Sequence, residues 1–242
     1  MGRAVTFDAL SFQPVAAGVS EAPITTGDLA KMAAKFIRVA PKATLSAMVP
    51  QGSDAYLFLL EGSGRIAAGG AEEAINQETF AAIREKENYT LSNPSDKTIE
   101  AVFVLAPPPG SQGEHQGLSN ALAVTSRANA PTFYIADQKK NRRYFVSKEA
   151  AKTERGHAMI VEYEKDTETV MHHHPDAESM FVPLTGNIRF IVNGEPIVLK
   201  RGQAVYFPIN DRHALRCAEG TTSASFLEFH IPGAFTTVKE QK

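Results

Sequence analysis

The sequence of 242 residues contains one cysteine, Cys217, and no tryptophan. A single cysteine excludes an internal disulfide, so the fold does not depend on an oxidative cross-link. No apolar segment approaches the roughly 18 residues that a membrane span needs. The N-terminus also lacks the basic start and continuous apolar stretch of a secretion signal. We therefore expect a soluble, cytoplasmic protein without a membrane partner.

Neither sign of charge dominates the chain, which has 25 lysines and arginines against 27 aspartates and glutamates. No run of five or more like charges occurs, so nothing indicates a surface for nucleic acid, and we expect no nucleic-acid partner. Hydrophobic residues make up 43% of the chain and charged residues 21%. These values are typical of a globular protein with a full core and exclude a disordered or fibrous chain.

An internal repeat is the strongest organisational signal, because many residues 124 positions apart match in character. Gly62 matches Gly186, and Gly70 matches Gly194, without a gap between them. Each copy reads as short apolar strands separated by Gly, Asn or Pro turns. Asn193-Gly194 is the favoured pair for a two-residue hairpin, since both positions need a positive φ.

Strands at this spacing predict an all-β fold of antiparallel double-sheet barrels or sandwiches. We expect a first barrel over residues 1–106, a Pro- and Gly-rich linker over 107–131, and a second barrel over 132–242. A few short helices are predicted, one at 26–35 after a possible Thr26 cap and one near 148–154.

A cluster of histidines is the candidate functional site of the sequence. Residues 172 to 178 read H-H-H-P-D-A-E, and His213 follows 35 positions after Glu178. In a strand, alternate residues share a face, so His172 and His174 point together while His173 points away. Three imidazoles and a carboxylate suit one divalent transition metal ion, Fe, Mn, Ni, Zn or Cu, and leave positions open for water or substrate. We therefore predict a metal site at His172, His174, Glu178 and His213.

In these motifs the chain resembles a bicupin, a protein of two tandem cupin barrels. The cupin motifs are G-x5-H-x-H-x3,4-E-x6-G and G-x5-P-x-G-x2-H-x3-N. The matching positions here are Asp166, His172, His174, Glu178 and Gly186, then Gly202, Pro208, Asn210, His213 and Cys217. The resemblance implies two double-stranded β-helix (jelly-roll) barrels, with the four ligand positions kept in the second.

Some positions depart from the family pattern. Seven residues separate Glu178 from Gly186 instead of six. The extra residue predicts a bulge near Pro183, because proline cannot donate a ladder hydrogen bond. Counting back from Gly186 would place the ligand at Ser179, whereas the intact H-x-H-x3-E spacing favours Glu178, with Asp176 as a weaker alternative.

The first copy has lost the ligand positions, which there are Met48, Pro50, Asp54 and Tyr89. Three imidazoles are thus replaced by a thioether, a proline and a phenol. We therefore predict that the first barrel is degenerate and holds no metal.

Residues near the predicted ligands are candidates for a substrate pocket, although each also has an ordinary structural explanation. The aromatic candidates, which could instead be core residues, are Phe181, Phe190, Phe207 and Phe226. Glu228 and His230 share one face of a strand, which points either inward or to solvent. Arg212 flanks His213 and could bind a carboxylate with its fork of donors, or form a surface salt bridge.

The leading hypothesis is a metal-dependent enzyme acting on a small polar or carboxylate-bearing molecule. The resemblance implies oxygenase, decarboxylase, isomerase or lyase chemistry without choosing among them. The competing hypothesis is a non-catalytic protein that binds or senses a small ligand. Because similar proteins commonly pair through sheet edges, we also expect a homodimer.

Overall fold

The structure is a computed structural model that describes residues 1–107, 115–147 and 150–240. This part of the chain forms 23 strands and two three-residue 3-10 helices, Phe7–Ala9 and Ala136–Gln138. The strands of the first copy are β1 (Arg3–Thr6), β2 (Gln13–Ala16), β3 (Val19–Pro23), β4 (Ala33–Val39), β5 (Thr44–Met48), β6 (Asp54–Glu61), β7 (Ser63–Ala68), β8 (Ala71–Asn76), β9 (Thr79–Ile83), β10 (Asn88–Ser92), β11 (Ile99–Ala106) and β12 (Leu122–Ser126). Those of the second copy are β13 (Thr132–Ile135), β14 (Lys140–Val146), β15 (His157–Glu164), β16 (Glu168–His173), β17 (Glu178–Thr185), β18 (Ile188–Val192), β19 (Glu195–Leu199), β20 (Gln203–Phe207), β21 (His213–Cys217), β22 (Ser223–Ile231) and β23 (Val238–Lys239).

The strand bounds confirm the repeat. Strands β6 and β17 have the same length and begin 124 residues apart, and so do β9 and β20. The predicted hairpin also forms: Asn193 and Gly194 have φ angles of 55° and 84° and join β18 to β19. The predicted irregularity appears as a register shift between Pro183 and Thr185 where β17 pairs with β22.

Each copy pairs a seven-stranded antiparallel sheet with a smaller one. In the second copy the orders are β1-β20-β17-β22-β15-β14-β13 and β19-β18-β21-β16-β23. In the first copy they are β12-β9-β6-β11-β4-β3-β2 and β5-β10-β7-β8. The fold is therefore all-β and of the double-sheet barrel type, as predicted.

Three apolar clusters explain why both faces of the large sheets are buried. One cluster fills the first barrel, around Leu57, and another fills the second, around Phe181. The third lies between the two seven-stranded sheets, where the rings of Phe80 and Phe229 are 6.2 Å apart. Burial on both faces accounts for the near-continuous apolar sequences of β6 and β17, where period-2 alternation is lost.

One strand of the first copy crosses to the sheet of the second copy. Strand β1, at the start of the chain, pairs with β20 of the second copy and covers an edge of its large sheet. Strand β12, which lies within the predicted linker, pairs with β9 of the first copy. The division into residues 1–106, 107–131 and 132–242 stays a prediction, and residues 108–114 of the linker lie outside the described residues.

The predicted helix at 26–35 is wrong. The chain turns at Thr26–Leu29 and then enters β4, which pairs with both β3 and β11. Two ladders of backbone hydrogen bonds and burial of alternate side chains outweigh the helix propensity of this segment. Of the helix predicted near 148–154, residues 148 and 149 lie outside the described residues, and Ala150–Glu154 forms turns and bends. The helices of the described segments are too short to cross a membrane.

Candidate metal centre

The three predicted imidazoles come from two adjacent strands. His172 and His213 are directly opposite each other where β16 pairs with β21, and His174 follows one residue beyond the end of β16. Within the described residues, these three histidines form the group whose donor atoms all lie within 4.8 Å of one another. The neighbouring His173 is not in this group, as strand alternation predicts. All three side chains are buried.

Hydrogen bonds fix how each imidazole is oriented. In every case Nδ1 lies 2.8 or 2.9 Å from a backbone carbonyl oxygen, which can only accept, so Nδ1 carries the proton. The accepting carbonyls belong to Val170 for His172, Thr236 for His174 and Asp211 for His213. Each Nε2 is then left with a free lone pair.

Two of these lone pairs have no partner in the protein. Nε2 of His174 and Nε2 of His213 are buried and make no hydrogen bond within the described residues. A buried polar atom without a partner is costly unless something binds it. An imidazole that donates from one nitrogen and offers the other inward is also the usual arrangement of a histidine metal ligand. The three residues therefore fit a transition metal ion.

Burial also keeps these imidazoles neutral. Desolvation is the largest influence on all three and lowers the pKa of His172 and His174, and that of His213 well below its ordinary value of 6.5. The neighbouring imidazoles lower the pKa of His213 further. A metal binds the neutral imidazole, so the environment favours the protonation state that a ligand needs.

Glu178 is not brought together with the three imidazoles. Its carboxylate accepts hydrogen bonds from the backbone amides of Ala30 and Lys31, at 2.6 and 2.9 Å. It lies on the face of β17 that packs toward the first copy. The carboxylate of Asp176, the weaker alternative, binds the backbone amide and hydroxyl of Thr236. Both carboxylates are engaged in holding loops near the site.

Ser179 takes the inward position that was expected for Glu178. Successive residues of a strand face opposite sides, so Ser179 shares the inner face with Phe181. Its hydroxyl lies 2.9 Å from Nδ1 of His230, and Nε2 of His230 lies 2.5 Å from Oε1 of Glu228. A carboxylate accepts, so Nε2 of His230 carries the proton and the Ser179 hydroxyl donates to Nδ1. A chain of hydrogen bonds, Ser179–His230–Glu228, thus lies beside the imidazole cluster.

A cavity of about 450 Å³ opens beside these groups inside the second barrel. Its inner wall includes His172, His174, Phe181, Glu228 and His230. Of the two readings left open by the sequence, Glu228 and His230 therefore point inward. Phe235, which the sequence did not single out, stacks on His230 with ring centroids 4.0 Å apart.

The other predicted pocket residues have different roles. Phe207 stacks on His213 at 4.2 Å, while Phe190 and Phe226 pack against Phe181 as core residues rather than cavity walls. Of the two alternatives left open for Arg212, the structure shows the surface salt bridge, because its exposed side chain forms an ion pair with Glu240. It follows a turn at the end of the barrel and points to solvent.

Two cations that the sequence did not single out do face the cavity. Lys140 and Arg142 alternate on the inner face of β14, opposite Tyr163 and Val161 of β15. The signal was present as this alternation, but the run KKNRRY looks like a solvated face until its partner strand is known.

The first copy has none of this arrangement at the matching positions. Met48 is exposed, and Tyr89 is buried in the apolar core with its ring 5.9 Å from that of Phe103. Asp54 matches Glu178 in both position and direction: its buried carboxylate accepts from Thr153 and pairs with Arg155 at 3.2 Å. The two carboxylates thus serve as structural groups in both copies.

Comparisons with known proteins agree with this fold. A family model described as a cupin domain matches residues 159–230. The structure is similar to that of protein YlbA from E. coli, with 11% identity, a TM-score of 0.76, and coverage of 98% of this chain and 93% of that one. It is also similar to a formate complex of oxalate decarboxylase from Lactobacillus farciminis, with 12% identity, a TM-score of 0.74, and coverage of 98% and 88%. A mutant oxalate decarboxylase from Bacillus subtilis has 12% identity and a TM-score of 0.73, with coverage of 98% and 78%. No curated protein matches the sequence significantly.

Proposed function

We propose that this chain is a metal-dependent enzyme of the cupin superfamily that acts on a small polar or carboxylate-bearing molecule. The proposed cofactor is one divalent transition metal ion, Fe, Mn, Ni, Zn or Cu, held by His172, His174 and His213. The reaction belongs to the oxygenase, decarboxylase, isomerase or lyase type.

The observation that carries the proposal is the orientation of three imidazoles. Each donates from Nδ1 to a backbone carbonyl, and the buried Nε2 atoms of His174 and His213 have no protein partner within the described segments. The large majority of buried side-chain polar atoms in proteins have a hydrogen-bond partner. An unsatisfied pair next to a third oriented imidazole is therefore better explained by a metal ligand set.

Three protein ligands would leave positions for a substrate, and the bound metal would supply polarisation of an oxygen or activation of water or dioxygen. The cavity of about 450 Å³ admits a small molecule next to the imidazoles. The names of two similar proteins point the same way, since both are decarboxylases of oxalate, a small carboxylate.

The residues around the site would position the substrate and a proton. Glu228 accepts from Nε2 of His230, which fixes the ring so that Nδ1 receives the hydroxyl proton of Ser179. These two hydrogen bonds orient the lone pairs of the Ser179 hydroxyl oxygen on the inner face of the barrel. Phe207 and Phe235 cover the rings of His213 and His230 and limit the access of water.

The test is turnover by metal-loaded protein. Wild-type protein and the variant His213→Ala are loaded with Fe, Mn, Ni, Zn or Cu and incubated with a panel of small mono- and dicarboxylic acids. We expect turnover by at least one metal form of the wild type and none by the variant. Binding of an acid by metal-loaded wild type without turnover of any panel member would favour a ligand-binding protein instead.

A further inference from the structure

Lys140 and Arg142 are two cationic side chains inside the second barrel, and neither forms an ion pair with an acidic side chain of the described residues. Lys140 is 5% exposed, yet its ammonium has no hydrogen bond or ion pair within the described residues. It lies 5.9 Å from the centre of the Tyr163 ring. The Nε of Arg142 is likewise buried without a partner. A buried charge without a partner is expensive, so an anion bound to the Lys140 ammonium and the half-buried Arg142 guanidinium would be stabilising.

The acidic side chains around the cavity do not supply it. Glu228 is the acid on the inner wall, and its carboxylate binds His230. Asp137 and Glu168 are exposed at the cavity mouth, where the exposed Lys239 also lies. The mouth is therefore mixed in charge, while the inner wall carries two cations against one carboxylate that is already engaged.

The two cations line the same cavity as the imidazoles. Lys140 and Arg142 of β14 lie on its wall together with His172 and His174. One small molecule in this cavity can therefore contact both groups.

We propose that Lys140 and Arg142 bind a carboxylate of the substrate, so that the enzyme acts on an organic anion whose other end reaches the three histidines. This inference rests on the proposed function for the second end of the molecule. The guanidinium of Arg142 offers a planar fork that matches a carboxylate, and Lys140 adds a point charge. The cavity volume restricts the substrate to a small acid.

The test is calorimetric titration of succinate into the metal-free, full-length chain, with uncharged succinamide as the comparison. The variants are Lys140→Met and Arg142→Met. The matched control is Arg216→Met, which removes the same charge from an exposed position on β21. Circular dichroism verifies folding; Lys140→Met removes a buried, unpaired charge and should fold at least as well as the wild type.

We expect the wild type and Arg216→Met to bind succinate and not succinamide. Each cavity variant should bind succinate roughly tenfold to a hundredfold more weakly, the effect of losing a hydrogen bond to a charged group. Equal succinate affinity in all four proteins, or a wild type that does not prefer succinate to succinamide, would overturn the inference. Preferential binding of inorganic phosphate over succinate would overturn the assignment to carboxylates.

Metal uptake by the wild type, measured beside the succinate titrations, separates this inference from the proposed function. If succinate binding depends on Lys140 and Arg142 while the wild type takes up no metal, the proposed function fails and the anion site stands. If metal binds and the two cavity variants keep full succinate affinity, the anion site fails alone.

Discussion

The hydroxyl oxygen of Ser179 lies 2.9 Å from Nδ1 of His230, on the inner face of β17 where the family pattern led us to expect a carboxylate. Replacing Ser179 by alanine leaves the buried Nδ1 without a donor. We expect the variant to lose about 1 to 3 kcal/mol of unfolding free energy and to keep its metal, because Ser179 is not one of the clustered donors. Denaturant unfolding and metal analysis check both parts; loss of the metal would mean that Ser179 is itself a ligand.

Glu178 gives a second prediction. Its two carboxylate oxygens accept hydrogen bonds from the backbone amides of Ala30 and Lys31. A glutamine has one accepting oxygen, so it can accept from only one of these amides as the carboxylate does. The variant Glu178→Gln should lose about 1 to 3 kcal/mol in unfolding free energy and retain a full complement of metal. A variant that unfolds normally but binds no metal would show that Glu178 turns toward the imidazoles.

The pKa of Lys140 predicts a pH dependence. Burial, and then the charge of Arg142, lower this pKa from 10.5 to about 8 against the opposing influence of Glu228. The ammonium is therefore lost as the pH rises through about 8. Succinate affinity of the wild type should fall above this pH, whereas that of Lys140→Met should change less. Calorimetric titration between pH 6 and 9.5, about 2 units below and 1.5 above this pKa, checks the prediction.

The same shift has the opposite effect on stability. Between about 8 and 10.5 the unfolded chain holds a proton on Lys140 that the folded chain has lost. Stability rises with pH wherever the unfolded state binds more protons. The contribution of Lys140 to the free energy of unfolding should therefore increase over this range, and the increase should be absent from Lys140→Met.

The buried ion pair of Asp54 and Arg155 links the two copies. The carboxylate is 0% exposed and the guanidinium 8% exposed, with 3.2 Å between Oδ1 and Nη1. Arg155→Ala leaves a buried carboxyl without its cation and should cost about 3 kcal/mol in unfolding free energy. The control Arg65→Ala breaks an exposed pair with Glu72 and should cost far less. Equal losses of unfolding free energy in the two variants would show that burial does not determine how much an ion pair contributes to stability.

Much of the fold could be predicted from the sequence because the two copies have their turn residues at matching positions. Glycines and prolines fix the chain locally, so Asn193-Gly194 and Pro183 identified a hairpin and a bulge before any partner strand was known. The helix predicted at 26–35 failed because its propensity is local, whereas the pairing of β4 with β3 and β11 is not.

The site was only partly predictable, because a shift of one residue reverses the face of a strand. Glu178 and Ser179 differ by one position, and the extra residue before Gly186 left the choice open. Lys140 and Arg142 were missed because their inward direction depends on pairing with β15, which spacing along the chain does not reveal. The imidazoles were found because two of them share a strand face and the third follows a turn.

The most direct test of the central claim is metal uptake by single histidine variants. His173 is the matched control, since it is adjacent to two proposed ligands and is not part of the cluster. Equilibrium dialysis against a divalent transition metal, followed by elemental analysis, measures ions bound per chain. We predict one ion for the wild type and for His173→Ala, and strongly reduced uptake for His172→Ala, His174→Ala and His213→Ala. A folded wild type that takes up no ion, or uptake that survives the loss of His213, would contradict the account.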